Sequence, residues 1–138
     1  MVITPLYAGL LALWFFVLSL RVVQGRTGKA GVSLGDGGDT SMLRRIRGHA
    51  NFAEYVPLIL ILLGLLELSH FSAWVLHALG LTLLIARLLH GYAFSFTAYS
   101  SFGRSAGAGL TFVVLLVAGV LCTYQGVMAY LLLHSAAA

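Results

Sequence analysis

Apolar residues along this chain gather into four long runs, separated by three short polar stretches, and hardly alternate with polar ones inside the runs. Runs of about 20 apolar residues are long enough to cross the roughly 30 Å hydrocarbon core of a bilayer at about 1.5 Å per residue. Backbone groups in lipid must bond within their own segment, so each run predicts a helix. The spans are expected at about 5–23, 42–69, 73–96 and 106–133, forming a single all-α membrane domain over 1–138 with no internal repeat. Pro5 suits the first turn of a helix, where its missing N–H has no use. Asp39, Thr40 and Ser41 each have a side chain suited to capping the second helix. Pro57 lies inside that helix and is expected to bend it.

The connections differ in kind. GRTGKAGVSLGDGGDTS between spans 1 and 2 is rich in glycine and polar residues, and reads as a loop of about 15 residues. Ser69 to Ser72 predicts a tight link between spans 2 and 3, and FTAYSSFGRSAG reads as the loop before span 4.

Composition agrees with the pattern: 60% of residues are hydrophobic, 9% are charged, and the mean hydropathy is +0.99. The net charge of +4 does not indicate a nucleic-acid partner, because its location has a simpler meaning. Arg21, Arg26, Lys29, Arg44, Arg45, Arg47 and Arg104 fall in or beside the first and third connections, while Ser69–Ser72 has neither Lys nor Arg. The positive-inside rule then puts the first and third connections in the cytoplasm and both termini on the other side. Tyr7, Trp74 and Tyr130 fall at the outer interface in that orientation, and Tyr99 and Phe102 at the inner one. The N-terminal run lacks a basic segment before it and is read as a retained span rather than a cleaved signal. Cys122 has no second cysteine to pair with.

Polar residues inside the runs carry whatever chemistry there is. Arg47, Asn51 and Glu54 are spaced i, i+4, i+7 and share one helical face, with Arg44 a turn earlier. Glu54 and Arg87 should lie at one depth on antiparallel neighbours. A charge at the bilayer centre costs at least about 2.5 kcal/mol, so each needs a partner. Two readings stand: a structural Glu54–Arg87 ion pair, or a polar pocket in which the excess of Arg26, Arg44, Arg47, Arg87 and Arg104 over Glu54 attracts an anionic ligand. His49, His70, His77, His90 and His134 have no i, i+4 pairing and no neighbouring Cys or Asp, so no metal site is predicted. GDGGD lacks the ordered oxygen ligands of a calcium loop and reads as a turn. Gly103 and Gly107 form a small-xxx-small spacing that favours close helix approach. No nucleophile triad is visible, and the span count and lack of repeats weigh against a transporter.

RIRGHANFAEYVPLIL resembles the helix 2 signature of the MAPEG family, the membrane-associated proteins in eicosanoid and glutathione metabolism. Together with GDGG and ARLLHGYAF, it is similar to the small bacterial inner-membrane members over essentially the whole chain. The resemblance implies a homotrimer of four-helix subunits in a bacterial inner membrane, with glutathione as co-substrate between subunits and a lipophilic electrophile arriving through the bilayer. The glutathione-holding positions it implies are Arg26, Arg47, Asn51, Glu54, Tyr55, Arg87 and His90. Arg104, followed by Ser105, takes the position that stabilises the thiolate. Those residue types suit the ligand: arginines fork onto its carboxylates, Glu54 takes its ammonium, and a guanidinium beside a thiol of pKa near 8.5 favours thiolate. Where several synthases of the family place a Tyr one turn beyond the His90 position, this chain has Phe94, which has no hydroxyl to donate. The expected activity is a glutathione transferase or peroxidase. The alternative is a scaffold of the same fold that binds lipid or glutathione without turnover.

Overall fold

The computed structural model describes residues 1–27, 31–98 and 100–135; Lys29 and Tyr99, placed above in the basic loop and at the inner interface, lie outside them. Four helices account for nearly all of it: α1 (Ile3–Thr27), α2 (Thr40–Leu68), α3 (Ala73–Ser95) and α4 (Ser101–Ser135). All four are long and apolar enough to span a membrane. The protein is therefore an all-α integral membrane four-helix bundle. α2 and α3 lie centrally, α1 packs against both, and α4 packs against both from another side.

α1 and α4 run past both ends of the apolar stretches that predict them, and α2 begins two residues earlier than its own. Asp39 is the residue that caps α2, its side chain accepting the Ser41 N–H at 2.8 Å. α2 continues without a break through Pro57. The largest difference is at α4, which begins at Ser101 rather than near 106. The Ser100 hydroxyl accepts the Gly103 N–H at 3.3 Å and starts the helix inside a stretch whose serines and glycine read as loop. Arg104 and Ser105 consequently stand on the first turns of a rigid helix.

The link between α2 and α3 is tight because α2 ends in a Schellman motif: Phe71 N–H bonds Leu66 O at 3.0 Å and His70 N–H bonds Glu67 O at 3.1 Å. His70 takes the left-handed conformation there (φ 57°), where glycine is usual. The same turn anchors α1. The Glu67 carboxylate accepts the N–H groups of Val2, Ile3 (2.8 Å) and Thr4 (2.7 Å), three of the donors that a helix start leaves unpaired. Its charge also faces the positive end of the helix dipole.

The core is apolar, built from Leu11 and Leu18 of α1, Phe52, Val56, Ile59 and Leu63 of α2, Leu76 and Leu83 of α3 and Val114 of α4. Tyr7 is buried against α3, its hydroxyl donating to His77 O at 3.2 Å and lying 3.1 Å from His77 Nδ1. Gly80 makes room, since a Cβ there would sit 2.3 Å from the Tyr7 ring. Trp74 and Tyr130 are exposed.

Candidate functional site

Two glycines bring the helices carrying the polar residues into contact. A Cβ at Gly48 of α2 would lie 2.8 Å from Phe94 Cβ, and one at Gly107 of α4 would lie 2.7 Å from both Ala86 O and His90 Cβ. α2 therefore rests against Phe94, and α4 against the backbone at His90. Gly103 adds a second close approach, with a Cβ there 3.0 Å from that of Ala93. The Gly103/Gly107 spacing is thus used within the subunit, between α3 and α4.

The packing creates a groove of about 360 Å³ lined by His90, Phe94, Ser101, Arg104, Ser105 and Ala108. His90 is buried with its ring 4.7 Å from that of Phe94, while the Arg104 guanidinium lies 5.1 Å over the Phe94 ring. Arg104 and Ser105 are exposed and the groove is open. The Phe94 ring thus holds a cation beside a histidine, using its π face where a tyrosine would also offer a hydroxyl.

From Ser105 the same face of α4 continues as an apolar groove of about 620 Å³ lined by Phe112, Leu115, Leu116, Gly119, Val120 and Thr123. Ser105, Phe112, Leu116 and Gly119 are spaced i, i+7, i+11, i+14, so the polar and apolar grooves form one stripe along the helix.

Arg87 is 1% exposed, and its Nη1 donates to Asn51 Oδ1 at 2.9 Å, while its Nε and Nη2 have no partner. The expected Glu54–Arg87 ion pair is replaced by this Arg87–Asn51 bond, because Asn51 turns toward α3 and Glu54 turns outward. Glu54 and Arg47 are exposed. The α2 stripe therefore divides, with Asn51 inside the bundle and the two charges on its outer surface. Tyr55 packs its ring 5.5 Å from that of Phe112. Arg26 donates to Ser33 O (2.8 Å) and Val32 O (3.5 Å), holding the first connection in place. Within one chain, His90, Arg104 and Ser105 come together, Asn51 and Arg87 form a second group, and Arg26, Arg47 and Glu54 stand apart.

The platform role of Phe94 has one signal in the sequence, a ring at i+4 from His90, while its contact with Arg104 arises from the packing of α4 on α3. The cap formed by Glu67 has no sequence signal, because donors and acceptor are 63 to 65 residues apart.

A basic, aromatic-backed groove beside an apolar stripe, on a bundle of four helices long and apolar enough to span a membrane, defines the class as a small multi-pass integral membrane protein. More specifically, this chain belongs to the MAPEG family, whose model matches residues 4–124. It is similar to Inner membrane protein YecN of Escherichia coli (strain K12), with 34% identity over 115 residues that cover 83% of this chain and 86% of that protein. The YecN of Escherichia coli O6:H1 (strain CFT073) matches equally. No solved structure matches.

Proposed function

We propose that this protein is a membrane-bound, glutathione-dependent transferase or peroxidase acting on lipophilic electrophiles. The observation that carries the reading is the exposed Arg104 guanidinium, held over Phe94 and beside His90 at the head of the apolar stripe on α4. Membership of the MAPEG family supports glutathione as the thiol.

Arg104 favours the thiolate by placing a fixed positive charge beside the sulfur. In conjugation the thiolate attacks an electrophilic carbon; the C–S bond forms, the carbon–leaving-group bond breaks, and the thiol proton passes to water. In the peroxidase reaction, two glutathiones are oxidised to the disulfide while a lipid hydroperoxide is reduced to the alcohol and water. The lipophilic partner reaches the sulfur along the α4 stripe without leaving the bilayer. Arg47 and Glu54, exposed on α2, meet the glutathione carboxylates and ammonium in a cleft completed by a neighbouring copy of a homotrimer. Arg26, Asn51, Tyr55, Arg87 and His90 complete the set. The bundle sits in a bacterial inner membrane, with its basic end in the cytoplasm and both termini on the far side.

The deciding experiment uses the full chain in detergent, measuring glutathione binding and conjugation to a generic aryl halide. Arg104→Ala is expected to lower turnover about 100-fold or more, in the range seen when one charge-stabilising group is removed, with binding largely kept. Turnover unaffected by the substitution would overturn the mechanism. Phe94 supports a second reading, a non-catalytic scaffold that binds glutathione or lipid in the same groove. Binding without any turnover would establish that reading instead.

A further inference from the structure

A second cavity lies inside the subunit at the basic end, where the end of α1, the start of α2 and the end of α3 meet. It encloses about 430 Å³, and Arg21, Arg44, Arg45 and Ser95 are among its lining residues. It shares only Phe94 with the groove described above.

The arginines have a structural task, which uses only part of their capacity. Arg44 donates to Ala93 O at 2.8 Å and to Thr97 O, and Arg21 donates to Ser95 O at 2.9 Å while lying 4.7 Å over the Phe96 ring. Arg45 reaches Arg21 O at 3.3 Å. The Arg21 and Arg44 bonds satisfy carbonyls at and just past the end of α3, where the helix dipole is worth about half a negative charge, and the Arg45 bond is to a carbonyl of α1. Three guanidiniums bring three positive charges, and among the described residues no acidic one lines the cavity. The nearby Asp39 carboxylate is committed to capping α2 through the Ser41 N–H.

Among the described residues, three polar atoms around the cavity are left without partners: Arg21 Nε, Arg45 Nε and Ser95 Oγ. Ser95 is 5% exposed, so its hydroxyl is cut off from bulk water. A buried polar group without a partner costs about 1–3 kcal/mol, and three around one cavity point to a missing partner. That partner must accept several hydrogen bonds and carry negative charge.

We infer that this cavity is a binding site for a phosphate group, as a monoester or diester, held by Arg21, Arg44 and Arg45 with the Ser95 hydroxyl donating to it. A tetrahedral anion accepts from three guanidiniums and a hydroxyl at once. The cavity lies at the ends of three membrane-spanning helices, the depth of lipid headgroups. The phosphate comes from an anionic lipid or from solution, and the two sources are separable.

The test uses the full chain in nanodiscs of phosphatidylcholine alone or with phosphatidylglycerol, and separately with inorganic phosphate added to the phosphatidylcholine discs. Thermal unfolding and retained ligand by native mass spectrometry are the readouts. Retention of phosphatidylglycerol with a raised unfolding temperature establishes the lipid source, and equal protection by inorganic phosphate establishes the free anion. Arg45→Gln and Ser95→Ala should each weaken retention about tenfold, while Arg104→Ala in the neighbouring groove leaves it unchanged. Ser95→Ala removes a hydroxyl that bonds nothing in the fold, so its unliganded unfolding temperature should match the wild type. Neither ligand being retained, or both variants binding like the wild type, would overturn the site.

Discussion

Phe94 concentrates the chemistry of the groove in one side chain. Its ring carries Arg104 at 5.1 Å and touches His90 at 4.7 Å, yet it offers no hydroxyl to a sulfur bound there. Phe94→Tyr keeps the platform and adds a donor, so kcat should rise up to about tenfold with little change in glutathione affinity, the effect of one hydrogen bond worth about 1.4 kcal/mol in the transition state. Steady-state kinetics with an aryl halide decide it; a change in affinity alone would mean the hydroxyl contacts the ground state. Glu67 makes the opposite case, a charge with no role in the groove and a large one in the fold. Glu67→Ala leaves the first N–H groups of α1 without their acceptor and should lower stability by about 1–2 kcal/mol, read as a drop of a few degrees in thermal unfolding. Glu67→Gln, which keeps one acceptor oxygen, should fall between the two.

Helices, as elements, were legible because lipid removes every alternative for an apolar run; their ends were less so. α4 extends back through FGRS because a serine hydroxyl starts it, a local bond that hydropathy does not register. Placing Arg104 on a helix fixes it relative to α3, and Gly107 sets the distance between the two. Gly107→Ala would drive a methyl group to 2.7 Å from Ala86 O and His90 Cβ, so α4 must move away. Overpacking of this kind costs about 1–3 kcal/mol, more than the gain of up to about 1 kcal/mol in helix propensity. Gly109→Ala, on the same helix with nothing within 4 Å, gains the propensity alone. Thermal unfolding should therefore shift in opposite directions for the two variants, and glutathione binding should fall only for Gly107→Ala. A loss in both would mean that α4 needs flexibility rather than close contact.

At the scale of the whole molecule, the α2 stripe was legible as a shared face but not as a divided one. Periodicity puts Arg47, Asn51 and Glu54 within one sector, and only packing decides that Asn51 reaches Arg87 while the charges look outward. Glu54 is the central residue of α2, about 21 Å from either end of the helix. A carboxylate facing lipid at that depth costs at least about 2.5 kcal/mol, and an outward Arg47 two turns away adds to it. α1 and α4 likewise turn large apolar side chains outward, among them Leu13, Phe16, Phe112 and Leu116, but those are at home in lipid. Glu54 and Arg47, on the outward face of α2, demand a polar neighbour. In the proposed function, a second copy with a bound zwitterion between the two would supply one, with arginine on carboxylate and Glu54 on ammonium. Light scattering in mild detergent should therefore give a mass of three subunits for the wild type, stabilised against dissociation by glutathione. Glu54→Leu should assemble as well without glutathione, because the substitution removes the desolvation cost, and should lose the stabilisation by glutathione. A monomeric wild type would place lipid or water against Glu54, and glutathione stabilisation that survives Glu54→Leu would move the ammonium to another acceptor.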